Sequence, residues 1–320
     1  MLARDAENLY WMARYLERAE NTARLIIKIS DTLLDIPNGA SLGWGTLLKV
    51  AGLDQLYKEY YDDANENDIM HFLIADERNP SSILACVKFA RENTRTLREM
   101  LPEDLWERIN GLYLYIQNNL QDASKNRRNK YMFLQSIISQ RHAIIGLIAC
   151  AMEQDLAFHF IKLGRSIERA DMTTRIMDIN YAISLPEDHP LFEITMQTLW
   201  AGILKSLSAF QTYRRLKAFH VNMPDVVDFL FHEKRFPRSV RHCLAEIEAC
   251  LQLMPQSEKI IIATNSAQTN LSQLNTKAMN LTKLHEYIDV SQLYLGKIHQ
   301  AIDLVYFRAY ETQASVQISA

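Results

Sequence analysis

An all-α helical bundle without strands is the fold class that the sequence predicts, and three observations predict it. Glycine and proline are scarce, nine and eight in 320 residues, which is fewer turn-formers than a β-rich chain of this length needs. Apolar residues recur at helical spacing through most of the chain, and no segment alternates with period two in β-branched residues. The chain also resembles itself: a helical unit of about 150 residues is written twice.

The elements follow in order. With Leu16 as reference and about 100° per residue, Leu9, Met12, Ala23 and Ile27 fall within about 40° of one direction, and Ala19 and Ile26 widen that stripe. This predicts a first helix, stopped by "DIPNG" at 35–39. After "SLGWGTLLKV" helical pattern runs to about Tyr61, and the polar "DDANEND" separates it from the next segment. Asn79 or Ser81, beside Pro80, is the expected cap of a helix reaching Met100. Pro102, Glu103 and Asp104 open another, to about Ala123. "SKNRRNK" at 124–130 reads as a loop, and from Tyr131 to Ile183 helical pattern continues with little punctuation. "SLPEDHP" at 184–190 ends it. Helices are expected at about 189–218, 224–232, 237–254 and 277–311; 255–276 is polar and ambiguous, and "ETQASVQISA" frays.

The self-resemblance is specific. Arg14, Glu17, Arg18, Ala19, Glu20, Thr22 and Arg24 match Arg165, Glu168, Arg169, Ala170, Asp171, Thr173 and Arg175 at a constant separation of 151 residues, that of Arg14 from Arg165. "WGTLLK" from Trp44 faces "WAGILK" from Trp200, and Tyr57 faces Tyr213. "FLIADERNPSSI" from Phe72 faces "FLFHEKRFPRSV" from Phe229, and Cys86 faces Cys243. Loop insertions account for the small drift in separation. The expectation is two helical repeats, 1–150 and 151–320, related by a pseudo-twofold axis and packed as one body, with the apolar helices of 131–183 bridging them.

Composition narrows function. A net charge of −3 argues against a nucleic-acid partner, and the short basic runs "KNRRNK" and "YRRLK" read as a loop and a solvated helix face. Four cysteines without a CxxC pattern give no metal-finger or redox motif and suit a reducing compartment. The N-terminus is charged from Arg4 onward, unlike a signal peptide, and no run of about 18 apolar residues predicts a membrane span. A cytoplasmic protein is expected.

The repeated charges are the candidate site. On the helical wheel Glu17 and Arg24 lie about 100° and 80° from the apolar stripe, Arg14 and Asn21 further round, and Arg18 almost opposite it. Glu168, Arg175, Arg165 and Arg169 reproduce the pattern. At the middle of a bundle these carboxylates need partners, and the planar fork of arginine supplies them. A Glu–Arg network that fixes register between two halves is one reading. Another is a cleft lined by arginines from both halves, binding a carboxylate, a phosphate or an anionic peptide. An enzyme using Glu17 or Glu168 as general base is a third, but arginine pairing depresses a carboxylate's pKa and weakens the base. A metal site from Glu17, Glu20, Glu168 and Asp171 lacks the Glu-x-x-His spacing of bundle metal centres and would face adjacent arginines. No catalytic residue, metal or cofactor is assigned. Asp155 and His159 share a face at i,i+4, while His142, His220, His232 and His242 lack partner spacing; Tyr10, Trp11, Trp44, Trp106 and Trp200 are expected to anchor the core.

"ENLYWMARYLERAENTARLI" and "LGRSIERADMTTRIMD" resemble the bacterial alpha-E domain family, named for its all-helical prediction and recurrent Glu-Arg motif. The resemblance runs from Met1 to about Phe307, with motif positions Arg14, Glu17, Arg18, Arg24, Arg165, Glu168, Arg169 and Arg175. "MEQDLAFHF" departs from the family pattern, with Gln154 and Phe158 where a basic residue and a Trp are usual. The resemblance implies a part in a peptide-forming or peptide-modifying system, and the lack of a recognised catalytic constellation in the sequence makes a non-catalytic interaction or scaffold protein the expectation. Its partners would be ATP-grasp-type ligases and transglutaminase-like proteins.

Overall fold

The computed structural model describes residues 1–35, 43–182, 189–217 and 220–308. Fourteen α-helices and no strand occur among the described residues. α1 (Ala3–Asp35) runs through the interior. Its stripe of Leu9, Met12, Leu16 and Ala23 is buried, and so are Glu17, Glu20, Asn21, Arg24 and Lys28 on its other faces. A helix buried all round must satisfy its polar residues inside the protein, and this requirement builds the site described below.

Two rings of four helices surround this interior. α1 packs on α5 (Ile83–Thr96), α5 on α6 (Glu103–Lys125), α6 on α7 (Arg127–Ala151), and α7 back on α1. In the second ring α8 (Leu156–Asp178) packs on α12 (Val240–Leu251), α12 on α13 (Glu258–Ser272), α13 on α14 (Leu281–Ile302), and α14 back on α8. The rings share their longest contact, α1 against α8. Short helices fill the connections: α2 (Gly45–Ala51), α3 (Asp54–Lys58) and α4 (Glu66–Ile74) in the first half, α9 (Phe192–Ser206), α10 (Phe210–Leu216) and α11 (Met223–His232) in the second. A helix crossing is closest where a side chain is missing. At Gly164 in α8 a Cβ would lie 2.3 Å from the Tyr10 carbonyl oxygen of α1.

Side-chain caps set many of the starts. Asn65, Ser82, Asn126, Asp155, Asn222, Ser239 and Asn280 each accept a backbone N–H from the first turn of the helix that follows. The α5 cap is therefore Ser82, not Asn79 or Ser81; the Asn79 amide donates instead to the Phe72 carbonyl at 2.9 Å. The expected loop at 124–130 shrinks to the single non-helical residue Asn126, which ends α6 and caps α7. The apparently continuous helix from Tyr131 to Ile183 is broken between Ala151 and Leu156, where Asp155 caps α8 rather than pairing with His159. The ambiguous stretch 255–276 contains α13, and the last helix passes into a π-helical turn at Asp303–Phe307. The expected stops at "DIPNG" and "SLPEDHP" fall largely on 36–42 and 183–188, and the tail on 309–320, all outside the described residues.

α7 is long and apolar enough to cross a membrane by length and composition. It nevertheless packs on α1 and α6 and carries the buried Arg141 into the interior. Tyr10 and Trp200 are core residues; Trp11 and Trp44 pack against the core from its edge, and Trp106 lies under the guanidinia of Arg91 and Arg98.

Candidate functional site

The α1–α8 contact brings the two Glu–Arg dipeptides together crosswise. The Glu168 carboxylate of α8 accepts from Arg18 of α1 through Nε at 2.6 Å and Nη2 at 3.0 Å, and from Arg14 Nε at 2.8 Å. The Glu17 carboxylate of α1 accepts from Arg169 of α8 through Nε at 2.8 Å and Nη2 at 3.0 Å. Each helix thus holds the other's carboxylate in a two-pronged grip, the geometry in which a guanidinium binds a carboxylate most strongly. Both carboxylates are buried, and all four of their oxygens accept hydrogen bonds.

The surroundings differ on the two sides. Beside Glu168, Arg14 also reaches the Tyr10 hydroxyl at 3.5 Å and lies over the Trp11 ring. The Tyr10 hydroxyl meets His299 Nδ1 of α14 at 2.9 Å. Glu17 receives two further arginines: Arg141 Nη2 of α7 at 3.1 Å, and Arg238 Nη1, from the turn before α12, at 3.3 Å. Arg238 also donates to Asn21 Oδ1 at 2.9 Å and to the Glu20 carboxylate. The Nε of Arg165 and the Nε and Nη1 of Arg141 are buried without a hydrogen-bond partner among the described residues.

A further layer ties this network to the backbone of the short helices. Arg24 donates from Nε to Glu20 at 2.8 Å, four residues back, and from Nη1 to the Ser206 carbonyl at 2.8 Å. Arg175 donates from Nε to Asp171 at 2.7 Å, also four residues back, and from Nη1 to the Val50 carbonyl at 3.3 Å. Both carbonyls belong to the last turn of a helix, where unsatisfied acceptors attract cations. The chain then turns through the left-handed region in both places, at Gly52 (φ 69°) and Ser208 (φ 55°).

The electrostatics follow from burial and pairing. Burial alone would raise the pKa of Glu168, but the charges of Arg18 and Arg14 outweigh it and hold the carboxyl at about 2. Glu17 and Glu20 are displaced downward for the same reason, burial opposing and guanidinium charge prevailing. Burial pushes the Tyr10 hydroxyl and the Cys86 and Cys243 thiols up to about 12. Carboxylates held so firmly ionised make poor proton acceptors, and buried neutral thiols make poor nucleophiles.

Of the residues singled out in the sequence, Arg14, Arg18, Glu168, Glu17 and Arg169 form the crossed clasp. Arg24 and Arg175 sit in the outer layer, and Arg165 contacts neither carboxylate by hydrogen bond among those described. Sequence reasoning passes over Arg141 and Arg238, and it finds no partner spacing for His142, which meets Arg24 Nη2 at 3.1 Å and Glu20 Oε1 at 3.3 Å. Aligning the two halves offered one signal: Arg238 stands opposite Ser81, and the Ser81 hydroxyl accepts from Arg18 at 3.3 Å.

Residues 1–307 match the model of a family described as "a predicted alpha-helical domain with a conserved ER motif". The chain belongs to the Alpha-E family. Four Glu–Arg dipeptides occur in this Alpha-E sequence, but Glu77–Arg78 and Glu107–Arg108 are exposed, whereas in Glu17–Arg18 and Glu168–Arg169 the glutamate is buried and the arginine half-buried. The Alpha-E chain is also similar to uncharacterised proteins of Mycobacterium bovis and of two strains of Mycobacterium tuberculosis. Each is 22% identical over 292 residues, covering 86% of this chain and 32% of the relative. The chain thus spans about a third of the length of these curated relatives. No solved structure matches it.

Proposed function

We propose that the chain is a non-catalytic interaction scaffold, built from two copies of a seven-helix unit, α1–α7 and α8–α14, divided near 150. The reciprocal pairs Arg18–Glu168 and Arg169–Glu17 carry the reading, because they join equivalent residues of the two units and consume both carboxylates in doing so. Further correspondences support the copying. Tyr57 meets Phe72 edge-on at 88°, and Tyr213 meets Phe229 edge-on at 88°. The Cys86 and Cys243 thiols each lie 3.7 Å from a proline carbonyl six residues back, Pro80 and Pro237. Arg24 and Arg175 end on Ser206 and Val50, which occupy matching places in the aligned segments.

A scaffold acts through what it holds. By family resemblance its partners are an ATP-grasp-type ligase and a transglutaminase-like protein of a peptide-forming or peptide-modifying system. Four free cysteines, three of them buried, fit a cytoplasmic home. Substituting Glu168→Gln tests the clasp: it leaves Arg14 and Arg18 facing a neutral amide and is expected to cost about 3 kcal/mol in urea unfolding. Unchanged stability would remove the clasp as the role of Glu168. Sedimentation of the purified chain with each expected partner tests the scaffold role, and two independently moving species would refute that partner.

A further inference from the structure

α7 is covered on one side only. α1 and α6 make its main contacts, and its buried Arg141 points inward to Glu17. Arg141 is also the single lysine, arginine, aspartate or glutamate between Lys130 and Glu153. With Arg141 as reference and about 100° per residue, Met132, Ser136, Ser139, Ala143, Gly146 and Cys150 fall within about 40° of the opposite direction. That outer face is about 27 Å long and uncharged. All of it is exposed except Ser136, which is half-buried. Opposite charges stand at its two ends. Arg128 precedes the face and Glu153 follows it; both are exposed, and neither has a hydrogen bond or ion pair among the described residues. The other charges near the ends are already engaged. Arg127 turns back to donate to the Ser30 carbonyl at 2.8 Å, Lys130 reaches Glu66 at 2.9 Å, and Asp155 caps α8.

We propose that the outer face of α7 pairs with the same face of a second copy of the chain, the two helices antiparallel about a twofold axis at the level of Arg141. The charges choose the occupant and its direction. Antiparallel pairing brings Arg128 of one copy within about 2 Å, along the axis, of Glu153 of the other, and on the same flank. The symmetry makes a second such pair at the far end. Parallel pairing would instead set Arg128 against Arg128 and Glu153 against Glu153, which repel. An anionic membrane would attract Arg128 but repel Glu153, whereas a second copy satisfies both. Exposed ion pairs add little strength, so their role here is to fix direction and register. The same axis sets Met132 against Cys150, Ser136 against Gly146 and Ser139 against Ala143, because each pair lies equally far on either side of Arg141. With side chains this small between them the helix axes can approach closely. One pair of helices makes a small interface, and small interfaces are weak and reversible.

The inference goes beyond the scaffold reading and stands without it. The test is sedimentation equilibrium of the full chain alone. Expected are dimers at roughly 100 μM and single chains, with Cys150 open, at about 1 μM. At Gly146 an added side chain meets nothing within 4 Å in the single chain, so Gly146→Lys should fold normally and stay single throughout. Arg128→Glu and Glu153→Arg should each weaken association at least tenfold, and the doubly swapped chain should regain it. Diamide oxidation at high concentration reads the direction. Met132→Cys should cross-link to Cys150 of the second copy, whereas the parent should not cross-link, its two Cys150 thiols lying about 27 Å apart along the axis. A parent chain that stays single at every concentration, or a Gly146→Lys chain that dimerises like the parent, would overturn the proposal. So would a double swap that fails to restore association, or a parent that cross-links through Cys150 alone. Sedimentation of single chains with phosphatidylserine vesicles would give the face to a membrane instead.

Discussion

Arg169 grips Glu17 with two parallel hydrogen bonds, at 2.8 and 3.0 Å, across the contact between the first and eighth helices. Such a pair is tested by a double-mutant cycle. Glu17→Gln and Arg169→Met are each expected to destabilise the chain, and the double variant by about 2 kcal/mol less than their sum. Additive losses in urea unfolding would show that the two residues act separately.

Acid should weaken the fold in two stages. Burial first, and then the Arg14 charge, lower the pKa of His299 from 6.5 to about 4. Between those values the unfolded chain takes a proton that the native ring refuses, so stability falls as pH drops through that window. Glu168, lowered from 4.5 to about 2, adds a second fall below pH 4.5. His299→Gln should reduce the slope of the urea midpoint between pH 6.5 and 4, to which His159, lowered by its own burial, also contributes, and leave the lower limb intact; a slope equal to the parent's would contradict the assignment.

Gly164→Ala should lower stability by about 1–3 kcal/mol, because its methyl would sit 2.3 Å from a backbone oxygen that belongs to a helix and has little room to move. Gly111→Ala, with nothing within 4 Å, is the control and should be neutral or slightly stabilising. Equal melting of the two variants would mean that the α1–α8 crossing is looser than its geometry.

Thiol reactivity should separate the cysteines. Cys150 is exposed, whereas burial raises Cys86 and Cys243 to about 12 and Cys250 to about 11. A disulfide reagent at pH 8 should titrate one thiol in the native chain and four in urea. Rapid modification of Cys86 in the native chain would show that the α5 contact opens.

Much of this was written plainly in the residues. Apolar spacing around Leu16 and repeated Glu–Arg dipeptides suffice to place a buried charged helix, since carboxylates on its flanks have few partners but arginine. Other parts are hidden for identifiable reasons. The buried stripe of α13 is Ile260, Thr264, Ala267 and Leu271, and its two small or hydroxylated members blur the apolar period. The break before α8 rests on one cap, Asp155, in a run that otherwise reads as helix. Arg141 is the single arginine of its stretch and Arg238 is one of several basic residues with Lys234, Arg235 and Arg241, so no local pattern marks either, and only folding brings them to Glu17.

The crossed clasp also has a consequence in time. Glu17 leaves the ribosome about 150 residues ahead of Arg169, and Arg14 and Arg18 equally far ahead of Glu168. Until the eighth helix is synthesised, the nascent first half carries Arg14 and Arg18 without the Glu168 carboxylate, and Glu17 with Arg141 but without Arg169 and Arg238, on the face it must later hide. Its final burial must wait for the second half, so the molecule commits to its interior only once α8 has been made.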